Sequence, residues 1–179
     1  GLEGIDAGEY SRVAKEIGSC AHAMIEADTK GVEPDLSLFS EYAIEMAKNS
    51  YASYLNWKTQ NHFIPIIQEE PLVSNNYMFG GTIDFYGTDE DGQFVLVDYK
   101  TATDVYPEHK YQVSAYARLL EENGYKVDKI LIARFPKEAG STYDSVEVPK
   151  EQVIVYFTGF LGLLSLYNCE KELRRMKRG

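Results

Sequence analysis

With 179 residues, 44% of them hydrophobic and 26% charged, the chain is long enough to bury one good core and too apolar to be disordered. Its net charge of −10 argues against a broad nucleic-acid-binding surface, because phosphate contacts dominate non-specific affinity; only a local basic groove is compatible with it. Two cysteines, Cys20 and Cys169, are too few for a cysteine-based metal site and read as free thiols in a reducing compartment.

No apolar run is expected to reach membrane-spanning length and no signal-peptide pattern is found, which gives the expectation of a cytoplasmic protein without membrane contact. The sequence begins with Gly rather than Met, so the natural chain is expected to extend further.

Residues 7–28 place Val13, Ile17, Cys20, Ala21, Met24 and Ile25 at spacings of three and four, which predicts a first helix. Gly18 and His22 lie within it. On its own, a histidine so placed is ordinarily a surface or satisfied core residue. The stretch Gly31-Val-Glu-Pro34 breaks the chain, and Asp35 or Ser37 can cap a second helix from about residue 36 to about residue 60. The aromatic residues of that helix, Tyr42, Tyr51, Tyr54 and Trp57, read as core rather than as a base-stacking platform.

Phe63–Val73 contains Ile64, Ile66 and Ile67 and predicts the first core strand, ending in Glu69-Glu70-Pro71. Adjacent residues point to opposite faces of a strand, so at most one of the two acids can approach a site on the neighbouring strands, with Glu70 the expected one.

Two runs of strand formers, Tyr77–Gly87 and Gln93–Thr101, flank Thr88-Asp-Glu-Asp-Gly92 and predict a hairpin. If Glu90-Asp91-Gly92 is a three-residue loop with Gly92 left-handed, Asp84 faces Asp98. Alternation then puts Thr82, Asp84, Tyr86, Leu96, Asp98 and Lys100 on one face, and Ile83, Phe85, Val95, Val97 and Tyr99 on a core face. Like charges directly opposite on a sheet are destabilising, and a divalent cation compensates them. Mg²⁺ is usually held by one or two carboxylates with water and a substrate phosphate oxygen, and Asp84 and Asp98 supply that donor set. Lys100, on the same face, can contact an attacking water or the charge that builds on a phosphate. The chemistry this suits is metal-assisted phosphodiester hydrolysis.

Tyr106–Asn123 predicts a helix closed by Gly124, with Gln112 and Tyr116 on one face. Val127–Phe135 reads as an apolar strand and Ser141–Val148 as an edge strand. Glu151–Met176 reads as a long helix packed through Val153, Val155, Tyr156, Phe160, Leu163, Leu164 and Tyr167. Its end, Lys171–Arg178, is the one dense basic stretch and reads as a solvated helix end whose cations complement the macrodipole.

Gly81-Thr-Ile-Asp84, Val97-Asp98-Tyr99-Lys100-Thr101 and Gln112-Val-Ser-Ala-Tyr116, in that order, resemble the PD-(D/E)XK nuclease superfamily and specifically its RecB-like exonuclease branch. The resemblance covers residues 16–135. It implies a restriction-endonuclease-like α/β fold in one domain, a central mixed sheet flanked by helices in the order ααβββαββα. It also implies that His22 is a ligand of the catalytic metal and that Gln112 and Tyr116 support the active site and the DNA strand. The four cysteines that hold an iron–sulfur cluster in some RecB-like nucleases are absent.

The expected function is a metal-dependent DNA nuclease, an exonuclease before an endonuclease, working in DNA repair, recombination or phage-type DNA processing. His22, Asp84, Asp98 and the backbone carbonyl of Tyr99 are expected to bind Mg²⁺ or Mn²⁺, with Lys100 as the catalytic lysine. The partner is single-stranded DNA or a duplex end, with a protein partner or a second copy left open. The alternatives are a DNA-binding or scaffolding domain that kept the fold without the activity, and a restriction-like endonuclease. If His22 binds the metal, affinity should fall with pH through its titration, while carboxylates of ordinary pKa stay charged.

Overall fold

The structure, a computed structural model, describes residues 7–178. Two helices lead, α1 (Ala7–Lys30) and α2 (Glu41–Gln60); then come β1 (Ile64–Ser74), β2 (Phe79–Thr88), β3 (Phe94–Lys100), α3 (Pro107–Glu122), β4 (Lys129–Arg134), β5 (Asp144–Glu147) and α4 (Lys150–Arg178). This is the expected ααβββαββα order. The five strands form one sheet in the order β1-β2-β3-β4-β5, with β3 and β4 parallel and the other neighbours antiparallel. A parallel pair needs a crossover connection, and α3 is that crossover.

Local chemistry sets the element ends. The Asp35 carboxylate accepts from the N–H and hydroxyl of Ser37 at 3.0 and 2.7 Å, which holds a turn rather than starting a helix. The N-cap of α2 is Ser40, whose Oγ accepts from the Ala43 N–H at 3.2 Å, so the helix starts later than expected. Pro107 opens α3, where its missing N–H costs nothing, and Gly124 follows the helix at φ 87°.

The β2–β3 turn closes as the sequence indicates. Gly92 sits at φ 76°, its N–H reaches the Asp89 carbonyl at 3.1 Å, and the Asp89 N–H reaches the Gln93 carbonyl at 3.0 Å. Asp89 Oδ1 accepts from the Asp91 and Gln93 N–H groups, which pins the loop from inside. The register that follows pairs Thr88 with Phe94, Tyr86 with Leu96 and Phe85 with Val97.

Beyond Phe85 the two strands part. Residues of β2 from Ile83 to Phe79 pair with Glu70–Ser74 of β1, while Asp98, Tyr99 and Lys100 of β3 pair with Ile132, Ala133 and Arg134 of β4. A wedge therefore opens in the sheet at Asp84 and Asp98.

Both faces of the sheet are covered, which corrects the expectation of one core face and one polar face. Phe85, Val95, Val97 and Tyr99 pack with Ile25 of α1 and with Tyr54 and Trp57 of α2. Ile83, Tyr86 and Leu96 pack on the other side with Val113, Ala117 and Leu120 of α3. Ile83 and Phe85 are thus in different cores, and the simple alternation fails where β2 leaves β3. β1, expected as a core strand, is an edge strand and mostly exposed because it has one neighbour only. Tyr42 of α2, expected in the core, is exposed.

α4 differs most from expectation. Val153 and Tyr156 lie against the α3 side of the core and Phe157 is buried, but Val155, Leu163 and Tyr167, expected on the packed side, are exposed. The helix is longer than the element it docks on. At 29 residues, with an 18-residue window of mean hydropathy 1.4 that is 6% buried, it is long and apolar enough to cross a membrane. The expectation that no run reaches that length does not hold. Its first half is docked by Tyr156 on Tyr111, Phe157 on Tyr77 and Phe160 on Phe79, so the whole helix cannot lie in a bilayer without undocking.

Gly92→Ala tests the turn. A side chain at that positive φ costs about 1–2 kcal/mol, with little else disturbed because a Cβ there meets no neighbouring atom. Urea unfolding should show a lower midpoint at an unchanged slope.

Candidate metal centre

The wedge is held open by one hydrogen bond. The Tyr99 N–H, next in line after the last ladder pair, donates to Asp84 Oδ2 at 2.7 Å. The side chain of Asp84 thereby stands between the two strands, 8% exposed. On β3, Asp98 is 2% exposed and its Oδ2 lies 2.9 Å from Lys100 Nζ. That contact is ionic and lacks hydrogen-bond geometry, so Asp98 Oδ2 has no hydrogen-bond donor.

α1 delivers His22 to the same place. Its Nε2 is 3.2 Å from the Tyr99 carbonyl oxygen and its Nδ1 is 3.5 Å from Asp84 Oδ1. The histidine, Asp84 and the Tyr99 carbonyl, which the sequence places far apart, therefore share one corner.

The acid that joins them from β1 is Glu69, not Glu70. Glu70 is exposed on the strand edge, whereas Glu69 takes a left-handed backbone at φ 52° and turns a partly buried carboxylate inward. One ligand atom from each of His22, Glu69 and Asp84 lies within 4.8 Å of the others. Sequence alternation leaves either acid of the pair eligible. The available clue is Ile67, buried two residues before Glu69, but a register shift between Pro65 and Ile67 and the positive φ are invisible in the sequence.

Lys100 is positioned from α3. Its Nζ donates to Gln112 Oε1 at 2.6 Å, and Gln112 Nε2 donates to the Tyr116 hydroxyl at 3.0 Å. Gln112 and Tyr116 thus act as a relay that fixes the lysine rather than as an exposed surface. Gly81 makes room for this relay, because a Cβ there would lie 2.2 Å from Tyr116 Cε1. His62 lies apart, with its Nδ1 2.9 Å from Glu90 Oε1 near the hairpin turn. His109 accepts from the Tyr106 N–H and Lys110 lies over the Tyr156 ring, so both have structural partners.

Charge explains why the cluster suits a cation. Glu69, Asp84 and Asp98 carry −3 when ionised and Lys100 +1, which leaves −2 in a largely buried wedge. Burial and the charges of Asp98 and Glu69 hold the Asp84 carboxyl well above the usual carboxylate range. Burial, with Glu26 adding to it, pushes Glu69 up to about 7. His22 is pushed down, mainly by burial, so its imidazole is neutral and available as a ligand at neutral pH. In the absence of a cation, proton uptake at Asp84 and Glu69 relieves part of this charge. This corrects the expectation that His22 alone would make metal affinity depend on pH, because Glu69 and Asp84 must also give up protons.

The buried Glu69 Oε1 has no hydrogen-bond partner, and Asp98 Oδ2 is met only by the Lys100 ammonium. Orphaned acceptors of this kind are costly unless something positive meets them. Oxygen donors with one imidazole suit Mg²⁺ and Mn²⁺, and ligand atoms around such an ion at ~2.1 Å are themselves separated by roughly 3–4 Å. The ligand atoms of His22, Glu69 and Asp84 lie within 4.8 Å of one another, a span that small side-chain shifts would bring to that spacing.

No protein-family model matches the sequence, and no curated protein matches it. Among solved structures, a protein of Eubacterium rectale named "Putative exonuclease" is similar, with a TM-score of 0.55 and 13% identity over 90% of this chain. The chain spans 66% of that protein's length. SSO0001 gives a TM-score of 0.40 at 12% identity, over 84% of this chain and 74% of its own, a likeness too loose to bear on the fold. The first likeness shows a shared α/β fold.

Glu69 has a measurable signature. Its folded pKa of about 7 lies above the ordinary value, so its contribution to stability is full at low pH and is lost as pH rises through about 7. Without added metal, Glu69→Gln should melt higher than the natural protein at about pH 8 and gain little or nothing at about pH 5. An identical pH slope in the two proteins would mean that Glu69 is not held protonated.

Proposed function

We propose that the chain is a metal-dependent DNA nuclease of the PD-(D/E)XK superfamily, of the RecB-like type, acting as an exonuclease. The observation that carries this reading is the wedge, where three carboxylates and a histidine meet beside a lysine held by the Gln112–Tyr116 relay. His22, Glu69 and Asp84 would hold a Mg²⁺ or Mn²⁺ ion, with Asp98 and the Tyr99 carbonyl beside them. Such an ion supplies Lewis-acid polarisation of a phosphoryl oxygen and eases deprotonation of water.

The reaction adds water to phosphorus and breaks a P–O bond, giving a phosphate monoester and a hydroxyl. Asp98, whose Oδ2 is met by the Lys100 ammonium at 2.9 Å, would orient the water or accept its proton once that ammonium turns to the phosphate. Lys100 directs its N–H groups at the charge that builds on phosphorus. Gln112 keeps the ammonium from folding back fully onto Asp98, since Nζ is shared between Gln112 Oε1 and the carboxylate. Tyr116 in turn fixes Gln112, and a lysine so restrained needs little reorganisation in the transition state.

The net charge of −10 is compatible with this reading because the acidic centre is partly neutralised by its cation and only the groove must be basic. Incubation with end-labelled linear DNA and closed circular DNA, with and without Mn²⁺, tests the activity. Metal-dependent loss of label from linear DNA with the circle intact is expected; cutting of the circle would assign an endonuclease. No metal-dependent hydrolysis of either would refute the proposal.

Lys100→Ala should lower turnover by roughly 10²–10³-fold, as loss of one transition-state donor does, with DNA affinity much less affected. Equal loss of binding and turnover in single-turnover assays would make Lys100 a phosphate anchor instead.

A further inference from the structure

Beyond Phe160, α4 leaves the domain. Its earlier rings are seated, Tyr156 on Tyr111 at 5.7 Å and Phe160 on Phe79 at 4.7 Å, but Leu163, Leu166, Tyr167, Leu173 and Met176 are exposed, as are Ile154 and Val155 nearer the start. An isolated helical projection of this length is marginal in water even for good helix formers. Something else must cover it.

The sequence of the projection carries a seam. Gly162, Leu166, Cys169, Leu173 and Met176 follow one another at intervals of four, three, four and three. From Gly162 to Met176 that is two heptads of a coiled-coil a/d repeat, with Leu166 and Leu173 at a and Gly162, Cys169 and Met176 at d; the preceding a position, Gly159, faces Tyr111 of the domain, so the free seam begins beyond it. Of the seven large exposed apolar side chains on α4, this seam and its flank take four: Leu163, Leu166, Leu173 and Met176.

The flanking charges select the partner. In a parallel pair, each g position faces the e position five residues on in the other strand. Here Glu172 at g meets Lys177 at e, and Ser165 at g meets Glu170 at e, so the register has an opposite-charge pair and no like-charge pair. Within one chain Glu172 has only Arg175 beside it on the exposed surface. A lipid surface is the rival occupant, since Lys171, Arg174, Arg175, Lys177 and Arg178 outnumber Glu170 and Glu172 in the projecting stretch; the Glu172–Lys177 match across two strands is what favours a second copy.

We infer that the free half of α4 pairs in parallel with α4 of a second copy of this chain, through Leu166, Cys169, Leu173 and Met176. The inference does not depend on nuclease activity. α4 runs back along α3, with Ile154 near Arg118 and Tyr156 on Tyr111, so the seam leaves the domain toward the end of α3 that carries Gln112.

Sedimentation equilibrium of the natural protein should give twice the 20.3 kDa chain mass at micromolar concentration. Leu166→Glu with Leu173→Glu should give the single-chain mass with an unchanged melting curve for the domain, since both side chains are exposed. A mild oxidant such as a copper–phenanthroline complex, taking two electrons and two protons from a pair of thiols, should link two chains through Cys169. Cys169→Ser should abolish the link, because the other cysteine, Cys20, is buried. Glu172→Lys and Lys177→Glu should each weaken the dimer, and the double exchange should restore it. A single-chain mass at every concentration, with no Cys169 link, would overturn the inference. So would a chain that stays single in solution but floats with anionic vesicles, which would assign α4 to a lipid surface.

Discussion

The hydrogen bond from the Tyr99 N–H to Asp84 is the constraint on which the rest of the site depends. A regular hairpin would have satisfied that N–H with a β2 carbonyl and left no opening. Here the carboxylate takes the place of the ladder, so β2 can turn away to β1 while β3 continues beside β4. The sheet is thereby split at the one place where α1 from one layer and α3 from the other can both reach in. His22 arrives from the first and Gln112 from the second.

The same split concentrates charge. Three carboxylates with one lysine in a buried wedge are unfavourable by themselves, as the raised Asp84 and Glu69 carboxyls show. Such an arrangement persists when surrounding structure over-determines it. Both sides are fixed here, by Tyr54, Trp57, Tyr99 and Phe135 stacked beneath β3 and by Val113, Ala117 and Leu120 of α3 on the other face. The left-handed backbone at Glu69 is part of the same strain, held by β1 pairing on both sides of it. Without a cation, a site of this kind is relieved by holding protons on Asp84 and Glu69.

Much of this was legible in the sequence, for physical reasons that can be named. Element order follows from hydrophobic period, and the hairpin register follows from Gly92, whose left-handed backbone fixes the loop length. That register predicts Asp84 directly opposite Asp98, but the ladder ends one pair earlier, at Phe85 and Val97, so the two acids act on each other across the wedge and not as a strand pair. His22 at the Tyr99 carbonyl was reachable only through the family resemblance, because no local pattern links α1 to a strand so far along the chain. Glu69 was missed in favour of Glu70 because a register shift and one positive φ decide which acid turns inward. The free half of α4 was misread as packed, since apolar periodicity says which residues need cover and not what provides it.

The central claim is that protons stand in for a divalent cation in the wedge. Calorimetric titration of Mn²⁺ near neutral pH, in two buffers of different ionisation enthalpy, measures both the binding and the protons exchanged with it. The account expects saturable binding accompanied by net proton release, because Glu69 and Asp84 must ionise to bind the ion, with the release reduced in Glu69→Gln. Absence of binding, or binding with no protons released, would contradict it.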